Sequence, residues 1–221
     1  MVARLRVGVL ISGRGSNLQA LIDAAADPAY PAEIVLVISN LPEALGLQRA
    51  AQAGIARQII AEPDRTVFAT AAETALRQSG VELVALAGFM RLLDTSFVEA
   101  WRDRMVNIHP SLLPAFPGLH PQRQALAAGA RFSGCTVHFV RAEIDTGPII
   151  AQAVVPVHDD DDQDSLAARI LAAEHRLYPL AVRLYAEGRL RIEGNRVIVA
   201  GGMPPDIAAL NPLEALASGR G

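Results

Sequence analysis

Asn107-Ile108-His109-Pro110-Ser111 sets a neutral amide and an imidazole two residues apart. Side chains of an extended strand alternate between faces, so Asn107 and His109 share one side. The amide is a fixed donor, and the imidazole is an acid or base that switches near neutral pH. The pair suits an oxyanion developing on a carbonyl. The other reading is a histidine that caps the proline-rich segment behind it. Asp145, ahead of Thr146-Gly147-Pro148, is either a catalytic carboxylate or an Asp that bonds its own backbone in a tight turn. A different chemistry is written into Gly13-Arg14-Gly15-Ser16-Asn17. Glycines permit a tight turn there, and the unpaired amides of a helix start attract an anion. Leu18 stands where a dinucleotide fingerprint has its third glycine, so a single phosphate fits better than a dinucleotide. The plain alternative is a strand-to-helix turn capped by Ser16 or Asn17.

The remaining histidines read differently. His138 alternates with Val137 and Phe139 in a strand and is expected to be structural. His120 lies in the proline-rich loop, open to a substrate. His158 adjoins the acidic run Asp159–Asp162 and is expected in solvent. His175 follows Glu174 on a long helix, where a surface position is the default. No spacing announces a metal site, although His109, His138 and Asp145 are the set that could assemble one. The acidic run lacks the glycine of a calcium-binding loop and favours a helix start through the dipole.

These residues need elements to hold them. Val7–Ser12 and Ile34–Ser39 are continuous apolar runs, as buried parallel strands are. Val81–Ala87, Met105–Ile108 and the short Arg57–Ile60 read as further strands. Helical spacing appears over 17–26, 45–53, 66–78, 96–100, 122–128 and 165–187, the last with a possible break at Pro179. Asp64 or Thr66 is the expected cap of the third helix. Cys135–Val140 and Ile149–Val157 read as antiparallel neighbours, and Gly194-Asn195 as a hairpin turn. The expected fold is one α/β domain: a doubly wound, mainly parallel sheet with helices on both faces and antiparallel C-terminal strands. Ligands of such sheets bind at the carboxyl ends of the strands, here 12–17, 39–40, 88–93 and 107–111.

Composition excludes several chemistries. All 20 basic residues are Arg among 221 residues, so there is no lysine for a Schiff base or a P-loop. The one cysteine, Cys135, excludes an internal disulfide and a thiolate zinc cluster. A net charge of −3 gives no electrostatic footprint for nucleic acid. Apolar runs are too short for a signal or a membrane span, so the cytoplasm is the expected compartment.

Taken in order, Ser12-Gly13-x-Gly15-Ser16-Asn17-Leu18-Gln19, Ala87-Gly88-Phe89-Met90-Arg91, Asn107-Ile108-His109-Pro110-Ser111-Leu112-Leu113-Pro114 and Val137-His138-Phe139-Val140 with Asp145-x-Gly147-Pro148 closely resemble the phosphoribosylglycinamide formyltransferases. The resemblance runs from Val7 to Arg191. It implies transfer of the formyl group of 10-formyltetrahydrofolate to the amine of glycinamide ribonucleotide in purine biosynthesis, with no metal. It implies that Asn107 bonds the formyl oxygen, that His109 donates a proton, and that Asp145 pairs with His109. It assigns the ribonucleotide to Gly15, Ser16, Asn17, Leu18 and Gln19 with Glu174 and His175, which overrules the surface default for His175. It assigns the folate to Arg65, to Met90, Arg91, Leu92 and Leu93, to Asn107, and to Arg141, Ala142, Glu143, Ile144 and Asp145. Residues 1–200 are then a formyltransferase domain with a phosphate-binding N-terminal half and a folate-binding C-terminal part, and 201–221 a tail. A monomer or homodimer is expected, without nucleic acid or membrane as partner. Arg14 departs from the small polar residue that relatives often have. Length disfavours the related methionyl-tRNA formyltransferase and formyltetrahydrofolate hydrolase. A phosphate sensor without catalysis would need 13–17 but not Asn107, His109 and Asp145 together.

Overall fold

The computed structural model describes residues 3–202 together with 209 and 211. The tail expected past Gly201 otherwise lies outside the described residues. The chain runs β1 (Leu5–Ile11), α1 (Ser16–Ala25), β2 (Ala32–Ser39), α2 (Leu45–Gln52), β3 (Ala56–Ile59), α3 (Arg65–Gln78), β4 (Leu83–Leu86), α4 (Thr95–Ala100) and β5 (Met105–His109). It continues through α5 (Pro121–Ala127), β6 (Phe132–Phe139), β7 (Ile149–Pro156), α6 (Gln163–Ala186), β8 (Leu190–Glu193) and β9 (Arg196–Val199). The strands form one sheet in the order β3-β2-β1-β4-β5-β6-β7-β9-β8. The first five are mutually parallel, and β6 turns back antiparallel against β5. The architecture is the expected one.

Alternation along β1 divides the core. Val7, Val9 and Ile11 face α1, α2 and α6 with Leu18, Leu21, Leu47, Ile170, Leu177 and Tyr178. Leu10 faces α3 and α4 with Phe68, Leu76, Phe97 and Trp101. Each such side chain, fully buried, contributes roughly 1.5–3 kcal/mol, so both faces of the sheet are tightly constrained. Asp64 caps α3 by accepting from the amides of Thr66 and Val67. Some details differ from the sequence reading, β6 beginning at Phe132 rather than Cys135 among them. The third long strand narrows to Leu83–Leu86, although Val81 and Ala87 stay buried. α6 also runs unbroken through Pro179, held by a capping box between Asp162 and Ser165 and by the buried Leu177, Tyr178, Ala181 and Val182 on either side of it.

Candidate active site

The carboxyl ends of β1, β2 and β4 meet around Ser12. Its hydroxyl donates to Asn40 Oδ1 at 2.6 Å and accepts from the Met90 amide at 2.9 Å. Beyond it the chain turns at Gly15, whose φ of 69° is left-handed. A Cβ there would also lie 2.6 Å from the Cα of Gly46, so only glycine fits. Gly15 is the N-cap of α1 and offers no side-chain cap; the first intrahelical bond runs from Gln19 N to Gly15 O at 2.9 Å. The amides of Ser16, Asn17 and Leu18 precede that bond and have no intrahelical partner, an arrangement that can accept an anion. Neither Ser16 nor Asn17 caps the helix with its side chain, so the cap expected of a plain turn is not formed.

Instead the buried Asn17 side chain donates to Glu174 Oε2 at 2.8 Å, joining α1 to α6. Burial pushes the Glu174 carboxyl up to about 7, against the lowering effect of the Asn17 bond. Asn17 Oδ1 and His175 Nε2 are buried without a partner, and such atoms ordinarily find one. Beside them lies a cleft of about 300 Å³ lined by Ser16, Gln19, Ala20, Asp23, Arg49 and His175. Arg49 was not singled out in the sequence; its guanidinium donates to Arg14 O and Gln19 Oε1 and so braces the turn. The sequence carried no signal for it, since only the packing of α2 against the turn brings Arg49 there.

The second cluster sits on β5. Asn107 and His109 do share a face, and His109 is 6% exposed. Its Nδ1 lies 3.3 Å from Asp145 Oδ2, and its Nε2 lies 3.0 Å from Phe116 O. Both ring nitrogens thus face acceptors. Asp145 has a left-handed φ of 56° and accepts from the Gly118 amide at 2.8 Å. Its carboxylate therefore serves neighbours rather than its own turn. Gly147 lets the loop run close against the end of β6: a Cβ would fall 1.7 Å from Phe139 O. His138, expected to be structural, enters this cluster because β5 and β6 pair Asn107 with His138. Its Nε2 is 3.2 Å from Asn107 Nδ2 and 3.7 Å from Asp145 Oδ1. Although His109, His138 and Asp145 converge, no group of three His, Cys, Asp or Glu among the described residues is placed to hold a metal ion.

The other predicted residues lie on two loops. Met90 and Leu92 follow β4 and are exposed, while Leu93 packs against the α3 side of the core. Arg91 is held by Glu62 O and Pro63 O and lies 5.0 Å over the Phe68 ring. Arg65 opens α3, exposed to solvent. In the loop after β6, Arg141 pairs with Asp103 at 2.6 Å, and Ala142, Glu143 and Ile144 are exposed. His120 is the exposed N-cap of α5, and His158 lies exposed beside Arg169.

A strand amide beside an imidazole–carboxylate pair and a helix start with unpaired amides on this sheet fit one class. The sequence profile of the formyl transferase family matches residues 5–182, and the chain belongs to that family. It is 43% identical to the phosphoribosylglycinamide formyltransferase of Escherichia coli over 91% of this chain and 97% of that protein. It is 56% identical to part of the trifunctional purine biosynthetic protein adenosine-3 of Drosophila melanogaster, covering 84% of this chain but only 14% of that protein's length. The solved structure of glycinamide ribonucleotide transformylase 1 from Symbiobacterium toebii superposes with a TM-score of 0.88 at 51% identity, over 90% of this chain and 96% of that one.

Proposed function

We propose that the chain transfers the formyl group of 10-formyltetrahydrofolate to the amine of glycinamide ribonucleotide, as a cytoplasmic enzyme of purine biosynthesis. The observation that carries this reading is the convergence of Asn107, His109 and Asp145 in a formyl transferase. The amine lone pair attacks the formyl carbon, and the carbonyl π pair moves to oxygen. Asn107 donates to that oxyanion, where a fixed donor is worth more than water. His109 supplies a proton, and Asp145 orients its ring. When the tetrahedral carbon collapses, its bond to the folate nitrogen breaks, that nitrogen takes the His109 proton, and the proton lost by the amine restores His109. Acid–base groups carry every step, so the reading calls for no metal.

The ribonucleotide phosphate sits on the amides of Ser16, Asn17 and Leu18 with Gln19 beside it, after the turn at Gly15. Glu174 and His175 face its glycinamide end; the unpartnered Asn17 Oδ1 and His175 Nε2 support this. The folate lies along Met90–Leu93 and Arg141–Asp145, where exposed Met90, Leu92 and Ile144 offer apolar surface for its rings. Arg65, with its fork of donors, takes a folate carboxylate. All three residues of the reacting cluster come from one chain, so a monomer or a homodimer can serve.

The test is to mix the protein with glycinamide ribonucleotide and 10-formyltetrahydrofolate, follow the folate absorbance, and identify the formylated product. Formylated ribonucleotide, formed at a rate unchanged by a chelator, is expected. Formate released without the ribonucleotide, or formylation of methionyl-tRNA in its place, would overturn the assignment.

A further inference from the structure

An amide with two possible orientations holds the centre of the reacting cluster, and something must choose between them. Asn107 can present either its NH₂ or its carbonyl to a substrate oxygen, and only the NH₂ can donate. The neighbour that decides is His138, brought opposite Asn107 by the antiparallel β5–β6 register. His138 Nδ1 lies 3.0 Å from Phe139 O. A carbonyl only accepts, so Nδ1 carries the proton and Nε2 presents a lone pair. Asn107 Nδ2 lies 3.2 Å from that lone pair. One amide hydrogen is thereby committed to His138, and the second is left for a substrate oxygen.

We propose that His138 is a positioning residue for formyl transfer: its Nδ1-protonated ring fixes the Asn107 amide with NH₂ toward the formyl oxygen. The same tautomer has a second effect. Asp145 Oδ1 lies 3.7 Å from His138 Nε2 and Asp145 Oδ2 lies 3.3 Å from His109 Nδ1, so two imidazoles flank one carboxylate. With no proton on its Nε2, His138 does not compete for Asp145, and the carboxylate serves His109. Burial, the largest influence, holds the His138 ring below its ordinary range, so it stays neutral beside that carboxylate. The Phe139 carbonyl thus sets the ring's tautomer, and burial keeps the ring neutral.

The inference rests on the formyl-transfer reading, and the experiment separates the two. The proteins are wild type, His138→Phe, His138→Gln, Asn107→Ala and the double variant Asn107→Ala/His138→Phe. Each is assayed for kcat and for KM of both substrates, and ¹⁵N-histidine NMR reports the tautomer in the wild type. His138→Phe is expected to lower kcat about 10- to 100-fold with both KM values little changed, the scale of a reacting group displaced by about 1 Å. His138→Gln, which restores an acceptor near the Nε2 position, is expected to recover most of kcat. In the Asn107→Ala background, His138→Phe is expected to add little, because coupled residues are non-additive. An Nε2-protonated ring, equal losses in the Phe and Gln variants, or additive losses in the double variant would each overturn the positioning role while transfer itself stands. A wild type without formyl transfer would instead overturn the reading beneath it.

Discussion

The two ends of the site are built from different materials. The anion end uses backbone amides at the start of α1, fixed by the left-handed turn at Gly15 and by the Gly46 contact beneath it. The reacting end uses side chains from β5, β6 and the loop before β7, with no helix terminus among them. Backbone amides cannot change protonation, so in the proposed reaction the first end binds and holds the phosphate. Imidazole and carboxylate can, so in that reaction the second end moves protons. Binding and chemistry should therefore separate cleanly under mutation.

The sharpest separation is expected at the reacting end. His109→Ala and Asp145→Asn should each lower kcat at least about 10²-fold, the scale of a positioned acid–base group, and leave ribonucleotide affinity little changed. Gly147→Ala acts on the same end through the backbone, since its Cβ would meet Phe139 O and shift the Asp145 loop. Steady-state kinetics with calorimetric binding reads all three; near-normal turnover in His109→Ala or Asp145→Asn would dissolve the distinction.

At the anion end the opposite pattern is expected. Ser16→Ala leaves the backbone amides in place but removes the Ser16 hydroxyl as a donor, and should weaken the ribonucleotide by roughly one to two orders of magnitude, from about 1.5–3 kcal/mol for that one lost bond to a charged oxygen. Folate affinity, titrated separately, should hold. Equal weakening of both ligands would mean that the two ends are one cooperative unit.

The smallest effect expected is on stability. Glu174 has a folded pKa of about 7 against an ordinary 4.5. A raised carboxyl pKa means that the folded state favours the neutral form. Stability from this group is thus full below about pH 4.5 and falls as pH rises toward 7, by about 3 kcal/mol in all. Glu174→Gln cannot ionise and should lack that fall. Between pH 5 and 8 the wild-type Tm should drop roughly 5–10 °C more than the variant's. Parallel Tm curves would show that Glu174 is ionised at no cost, and the buried Asn17–Glu174 link would need another account.

Much of this was legible in the chain. Buried parallel strands announce themselves as unbroken apolar runs, and β1 and β2 appeared within two residues of their ends. The turn before α1 was legible because glycine, serine and asparagine at a strand–helix junction carry local conformational rules. Asn107 and His109 were legible as a pair because period-2 alternation needs no tertiary information. β4 was read too long because buried residues beyond a strand's ends look the same as those within it.

Tertiary structure alone decided the rest. Asp145 could equally have closed its own turn; its left-handed backbone and the passage allowed by Gly147 aim it at His109 instead. His138 read as an ordinary strand residue, because alternation gives a face but not the strand across from it. Only the β5–β6 register sets it against Asn107. The Asn17–Glu174 bond joins residues 157 apart, a separation over which no periodicity speaks. The sequence by itself determined which elements form and which side chains share a face, since both follow from interactions within a few residues. Which faces meet, and hence which titratable groups share a desolvated space, depends on packing between elements distant along the chain.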